Sequence, residues 1–275
     1  ASFDEAVRAA RESDVAVLFL GEESILSGEA HSRADIGLPG AQAELVRRVR
    51  EAGKPVVAVI MAGRPLVLTD VIDHLDAVLF AWHPGTMGGA AVAELLFGVE
   101  SPSGRLPVTF PRSAGHAPLY YAHNLTHSPE GARLYSVRYW DGAPVPLYPF
   151  GYGLSYTSFS FANLKVTSPQ PKVGASTAVS VDVENTGAVA GDEVVQLYVH
   201  QKAGSDSRPV RQLKGFRRVS LKPGERRTVT FSLGPDELRY WSTSQGKWVQ
   251  DAEAFDVWVG ADSTATLHAD LTVVP

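Results

Sequence analysis

The first hundred residues alternate between apolar positions spaced for a helix and continuous apolar runs, and few architectures accept that alternation. Phe3, Val7 and Ala10 recur at a helical interval and lead directly into Val15-Ala16-Val17-Leu18-Phe19-Leu20-Gly21. That run, ended by glycine, reads as a strand buried on both faces. Ala41 to Arg50 is rich in helix formers and is stopped by Gly53-Lys54-Pro55 ahead of the apolar run Val56 to Met61. Leu68 to Leu75 reads as a further helix, Ala77 to Ala81 as a third strand, and Gly89 to Phe97 as a helix closed by Gly98. Helices interleaved with strands imply a parallel sheet with right-handed crossovers. Three strands are few for such a sheet, and the first helix has no strand before it. The sheet is therefore expected to be incomplete on its N-terminal side, and the absence of an initial methionine marks Ala1 as a processed, cloned or fragment terminus.

From Glu100 to Pro149 the periodicity fails and Pro, Gly, His and Tyr accumulate, as in a long irregular connection. After Tyr156 short alternating runs take over: Ala178 to Val183, Val194 to Val199, Arg227 to Phe231 and Phe255 to Val259. Asn185-Thr186-Gly187 and Lys222-Pro223-Gly224-Glu225 punctuate them as turns. Strands at this spacing, each with one apolar face, predict an antiparallel β-sandwich of about 100 residues. The expected class is α/β followed by all-β, with residues 1–112 a partial doubly wound α/β sandwich, 113–156 a linker and 157–275 the β-sandwich.

At 275 residues and 44% hydrophobic content the chain has material for two cores. Its formal charge of -5 and scattered basic residues give no footprint for nucleic acid or an anionic membrane. No apolar run approaches the roughly 20 residues that span a bilayer, and Ala1 to Glu5 is not a signal peptide. Cysteine is absent, which excludes disulfides and a thiolate nucleophile and fits either a cytoplasmic or an exported bacterial protein. No cofactor or metal motif is present. Gly85, Gly88 and Gly89 lack the Lys-Ser/Thr pair of a phosphate loop and read instead as a helix start packed on the sheet. His116, His123 and His127 lack zinc spacing and read as surface loop. Asn124-Leu125-Thr126 is a formal glycosylation sequon without weight in a bacterial protein.

Chemistry concentrates in Ser27-Gly28-Glu29-Ala30-His31-Ser32-Arg33, a small-residue loop beyond the first strand's carboxyl end, where open α/β sheets bind ligands. Glu29 is either a solvated carboxylate or a catalytic one, and Glu22 and Glu23 are competing acids. His31 and Arg33 either line a substrate or anchor the loop. Trp82 and His83 follow the third strand and emerge on the same sheet edge, Trp82 as a packing residue or a sugar-stacking one. The run Tyr148 to Tyr156 is expected to pack where the two domains join.

In order and spacing, several segments together resemble the C-terminal half of a glycoside hydrolase family 3 β-glucosidase. They are Ser27 to Arg33, Lys54-Pro55, Ala62-Gly63-Arg64-Pro65, Ala81-Trp82-His83-Pro84-Gly85, Ser101 to Pro111, Tyr148 to Tyr156 and Arg208 to Phe216. The resemblance covers nearly the whole chain. It implies a fibronectin type III-like fold for the sandwich and places Glu29 at the family's acid/base position. It also implies a partner, an N-terminal (β/α) barrel supplying an aspartate nucleophile, which this sequence lacks.

On that resemblance the expected activity is retaining hydrolysis of terminal non-reducing β-D-glucosyl residues, with His31 and Arg33 as substrate-side candidates and little turnover without the barrel. Glu29 would need burial or a neighbouring carboxylate to carry a proton near neutrality. β-Xylosidase activity is the nearest alternative, and a non-catalytic carbohydrate- or protein-binding module the alternative of another class. An exposed half sheet would leave the isolated chain poorly soluble or seeking a complementary chain. Self-association stays open, and a periplasmic or secreted bacterial location is favoured over a cytoplasmic one.

Overall fold

The computed structural model describes residues 3–124 and 139–275, which group into two compact units. The first runs to Phe97 and adds Phe110–Leu119 and Pro146–Tyr148; the second holds Gly98–Thr109, the described part of Tyr120–Val145, and Pro149–Pro275.

The first unit is built from α1 (Phe3–Arg11), β1 (Ala16–Gly21), α2 (Gln42–Arg50), β2 (Val56–Met61), β3 (Ala77–Phe80) and α3 (Gly88–Leu96). The strands lie in the order β1-β2-β3, all parallel, with Leu18 beside Ala58 and Val59 beside Leu79. β2 is central, and Val56, Ala58, Val59 and Ile60 are fully buried. β1 departs from the expected two-sided burial. Ala16 and Leu18 pack with Ala10, Val49 and Val56, whereas Val17 and Phe19 are exposed, Phe19 at 60%. Its apolar run therefore has only one covered face among the described residues.

Leu68 to Leu75 is not a helix. Leu68 O accepts from both Val71 N and Ile72 N, Thr69 Oγ1 donates to Arg112 O at 2.7 Å, and one tight turn spans Ile72–His74. Three β-branched residues within four positions oppose a longer helix. Of the three glycines read as packed on the sheet, only Gly88 is tight, and against Pro84; Gly85 and Gly89 face open space. His116, expected on a surface loop, is buried inside a turn, where its Nδ1 accepts from Arg112 N at 3.3 Å. His123 is exposed, and His127, Leu125 and Thr126 lie outside the described residues. Phe110 pairs with Tyr148 through backbone hydrogen bonds, and its ring meets those of Phe80 and Trp82 at 5.0 and 5.9 Å.

The second unit contains β4 (Phe159–Val166), β5 (Thr177–Asn185), β6 (Gly191–Gln201), β7 (Gln212–Leu221), β8 (Arg226–Leu233), the short α4 (Pro235–Leu238), β9 (Tyr240–Ser242), β10 (Lys247–Val249), β11 (Ala254–Gly260) and β12 (Leu267–Thr272). One sheet has the order β12-β11-β6-β7, a second β4-β5-β8, and β9 pairs with β10. Pairing is antiparallel in all three. Val179, Val181 and Val183 share a core with Val195, Leu197 and Val199 and with Phe255, Val257 and Val259, as inner faces of two packed sheets do.

Buried polar residues complete this unit, among them Asn185 and Glu193. Asn185 accepts from Thr157 Oγ1 at 2.6 Å and Gly187 N at 3.0 Å, and donates to Val189 O at 2.8 Å and Leu221 O at 3.0 Å. Arg105 Nη2 meets Glu193 Oε1 at 2.8 Å, with only 7% and 4% of the side chains exposed. Burial pushes the Glu193 carboxyl above its ordinary range, although Arg105 pulls against that shift.

Candidate active site

β1 ends at Gly21 with φ +134°, and a side-chain carbon there would overlap the backbone of Met61 at the end of β2. Gln42, the first residue of α2, completes the strand end: its amide accepts from Gly21 N and donates to Gly21 O, both at 2.8 Å. The chain then leaves the sheet through Glu22, whose side chain is fully buried between Arg33 (Nη1 to Oε1, 2.6 Å) and Arg64 (Nε to Oε1, 3.0 Å). A buried carboxylate persists only when paired and hydrogen-bonded, and two guanidinium groups supply that here. The enclosure leaves none of the side chain of Glu22, one of the competing acids, exposed. Glu23 is exposed at the head of a single turn, Ser24–Leu26.

Arg64 does more than neutralise Glu22. Its Nη2 donates to Leu26 O at 2.6 Å and to His31 O at 3.1 Å, so one guanidinium holds both ends of the arc 26–31. Glu29 stands exposed near the top of that arc, between Gly28 (φ +118°) and Ala30 (φ +63°). His31 is exposed as well, its Nδ1 3.3 Å from Ser27 O. Arg33 is engaged by Glu22 and by Gly37 O at 3.1 Å, the arrangement of a loop anchor.

The loops after the three strands converge. A side-chain carbon at Gly63, after β2, would lie 2.6 Å from both Ser27 Oγ and His83 Nε2. Trp82, at φ +52°, packs its ring 4.7 Å from Phe80, and His83 is the residue turned toward the Ser27 loop. In the sequence Arg64 stands out only as part of Ala62-Gly63-Arg64-Pro65. The signal that finds it is the parallel register: Gly21 pairs with Met61, so the residues just past each strand are neighbours and a charge at one asks for its complement at the other.

Elsewhere, Asp256, His268 and Asp270 bring potential metal ligands within 4.8 Å of one another on the second unit. Lys202 Nζ lies 3.0 Å from Asp256 and 3.3 Å from Asp270, so an ammonium already serves these carboxylates. A cleft of about 300 Å³ is lined by His200 to Arg208 and shares no residue with the Glu29 loop.

The first unit is thus a parallel α/β layer with a carboxylate loop at its strand ends, and the second an antiparallel sandwich. Residues 1–156 match the glycosyl hydrolase family 3 C-terminal domain and residues 193–263 a fibronectin type III-like domain; the chain belongs to glycoside hydrolase family 3. It is 45% identical to the periplasmic beta-glucosidase of Salmonella typhimurium over 96% of this chain and 35% of that protein. To a beta-xylosidase of Formosa agariphila it is 41% identical, over 96% of this chain and 36% of the other. The beta-glucosidase from Listeria innocua, solved in complex with glucose, superimposes with a TM-score of 0.94 at 37% identity, over all of this chain and 39% of that one. The chain thus spans about a third of the length of the curated relatives it matches. The family and the fold class expected from the sequence are both borne out.

Proposed function

We propose that this chain supplies Glu29 as the general acid/base of a retaining β-glycosidase that releases terminal non-reducing β-D-glucosyl residues. The observation that carries the reading is the contrast between two carboxylates seven residues apart: Glu22 is enclosed by arginines, while Glu29 is exposed on an arc tied at both ends. A proton donor must reach a leaving-group oxygen and be held there. Retention requires a second carboxylate about 5 to 5.5 Å away as nucleophile, and family resemblance assigns it to the aspartate of an N-terminal (β/α) barrel. Relatives roughly three times as long as their match to this chain leave room for that barrel. Glu29 gives its proton as the glycosidic bond breaks and, now ionised, takes one from the water that releases the sugar. His31, exposed beside it, faces the leaving group, and Arg33 anchors the loop.

β-Linked glucosides are the substrates this reading favours; the 41% identity to a beta-xylosidase supports xylosides as the second choice. Similarity to a periplasmic bacterial enzyme supports the same compartment, and no described helix is long and apolar enough to cross a membrane. The test is Glu29→Ala in the full-length enzyme. Turnover of glucosides with poor leaving groups falls about 10²- to 10⁴-fold, the usual contribution of a positioned acid, while activated aryl glucosides still glycosylate the enzyme. Undiminished cleavage of the poor leaving groups refutes the assignment.

A further inference from the structure

We infer that Glu22 and Arg64 form a clasp that positions Glu29, so that the efficiency of proton transfer is set by two residues that touch no substrate. The inference rests on the reading of Glu29 as acid/base. Three observations carry it. The Glu22 carboxylate is wholly buried and is met by Arg64 at both oxygens, 3.0 and 3.1 Å. The same guanidinium, through Nη2, holds Leu26 O and His31 O, the two ends of the arc on which Glu29 sits. Ala30, next to Glu29, is in the left-handed region at φ +63°, a conformation that costs a non-glycine residue energy and survives where the surroundings over-determine it.

Each part has a separate task. Glu22 fixes Arg64 against the end of β1, and Arg33 adds a second guanidinium to the same carboxylate at 2.6 Å. The planar fork of Arg64 then converts one buried anchor into two backbone contacts that close the arc. Lysine has the charge but not the fork. With the clasp open, the arc relaxes toward unstrained backbone at residue 30 and Glu29 spreads over many positions. A displacement near 1 Å is enough to cost about 10²-fold in rate.

Arg64→Met, Arg64→Lys and Glu22→Gln are compared with Glu29→Ala in the full-length enzyme, using aryl β-D-glucosides of graded leaving-group acidity, with rates normalised to folded protein by calorimetry. Arg64→Met should lose about 10²-fold on poor leaving groups and less than about threefold on dinitrophenyl glucoside, with its steepened leaving-group dependence approaching that of Glu29→Ala. Arg64→Lys should fall between Arg64→Met and the parent. A purely structural role lowers all substrates in parallel with folded fraction, and that result overturns the inference, as does an unchanged dependence in Arg64→Met. Should Glu22→Gln fail to fold, the two Arg64 variants decide, since Arg64 retains 22% exposure. If Glu29→Ala itself shows no leaving-group dependence, the acid/base assignment fails and this inference falls with it; a steep Glu29→Ala beside a flat Arg64→Met refutes the clasp alone.

Discussion

Replacing Arg105 by methionine should unfold the second unit well below the parent's melting temperature, because Glu193 is left charged in a place built for a pair. Glu193 is 4% exposed and Arg105 7%, and they meet at 2.8 Å. Beyond Arg105, the carboxylate has a hydrogen bond from Val194 N at 2.8 Å. Removing one partner of a buried pair costs about 3–5 kcal/mol, which for a unit of this size is roughly 6–20 °C. The pair is not ideal: Arg105 Nε is buried without a partner among the described residues, and burial already holds the Glu193 carboxyl above its usual range despite the arginine. The folded state therefore binds the Glu193 proton more tightly than the unfolded chain, and its contribution to stability falls as pH rises from the unfolded pKa through the folded one. Loss of Arg105 extends that window upward, so the deficit of Arg105→Met should be greater at about pH 7.5 than at about pH 5. The double variant Arg105→Met/Glu193→Gln should recover most of the loss, since a buried pair replaced as a unit is often neutral. Scanning calorimetry of the three variants against the parent is the assay. An Arg105→Met transition within about 2 °C of the parent at neutral pH, under one kcal/mol on the same scale, would refute the reasoning.

Gly21→Ala should destabilise the first unit by about 3 kcal/mol or more, since the new carbon meets the Met61 backbone at φ +134°. Gly53→Ala, at φ +73° in open space, should cost only about 1–2 kcal/mol; equal losses in urea unfolding would remove the steric argument. Asn185→Leu strands two donors and two carbonyls and should cost about 3–5 kcal/mol, and a loss under about 1 kcal/mol would show that the four hydrogen bonds are replaceable by water.

Where the sequence carries strong periodicity, it foretold the structure closely. β2 lies on Val56–Met61 as read, and the stretches read at 178–183, 194–199, 227–231 and 255–259 fall inside β5, β6, β8 and β11. Strands whose alternation is interrupted escaped notice: β7 runs through Lys214, Gly215, Arg217 and Arg218, and β4 carries a bulge between Ala162 and Lys165 with Asn163 at φ +56°. The run at β1 misled because apolar content says nothing about how many neighbours a strand has. In the candidate site Glu29 was legible as a loop residue past a strand end. Its support was not, because Arg64 is 42 residues from Glu22 and only the parallel pairing of Gly21 with Met61 makes them neighbours.

The meeting of Ser27, Gly63 and His83 also has a consequence for how such proteins diversify. Any side chain at position 63 pushes on both neighbours, so the three loops form one mutational unit. A larger residue at 63 meets the side-chain ends of Ser27 and His83 and must turn both aside, so joint changes at 27, 63 and 83 open more shapes than a change in one loop alone. Natural variants should show the same coupling, a larger residue at one of the three positions being matched by a smaller one at another.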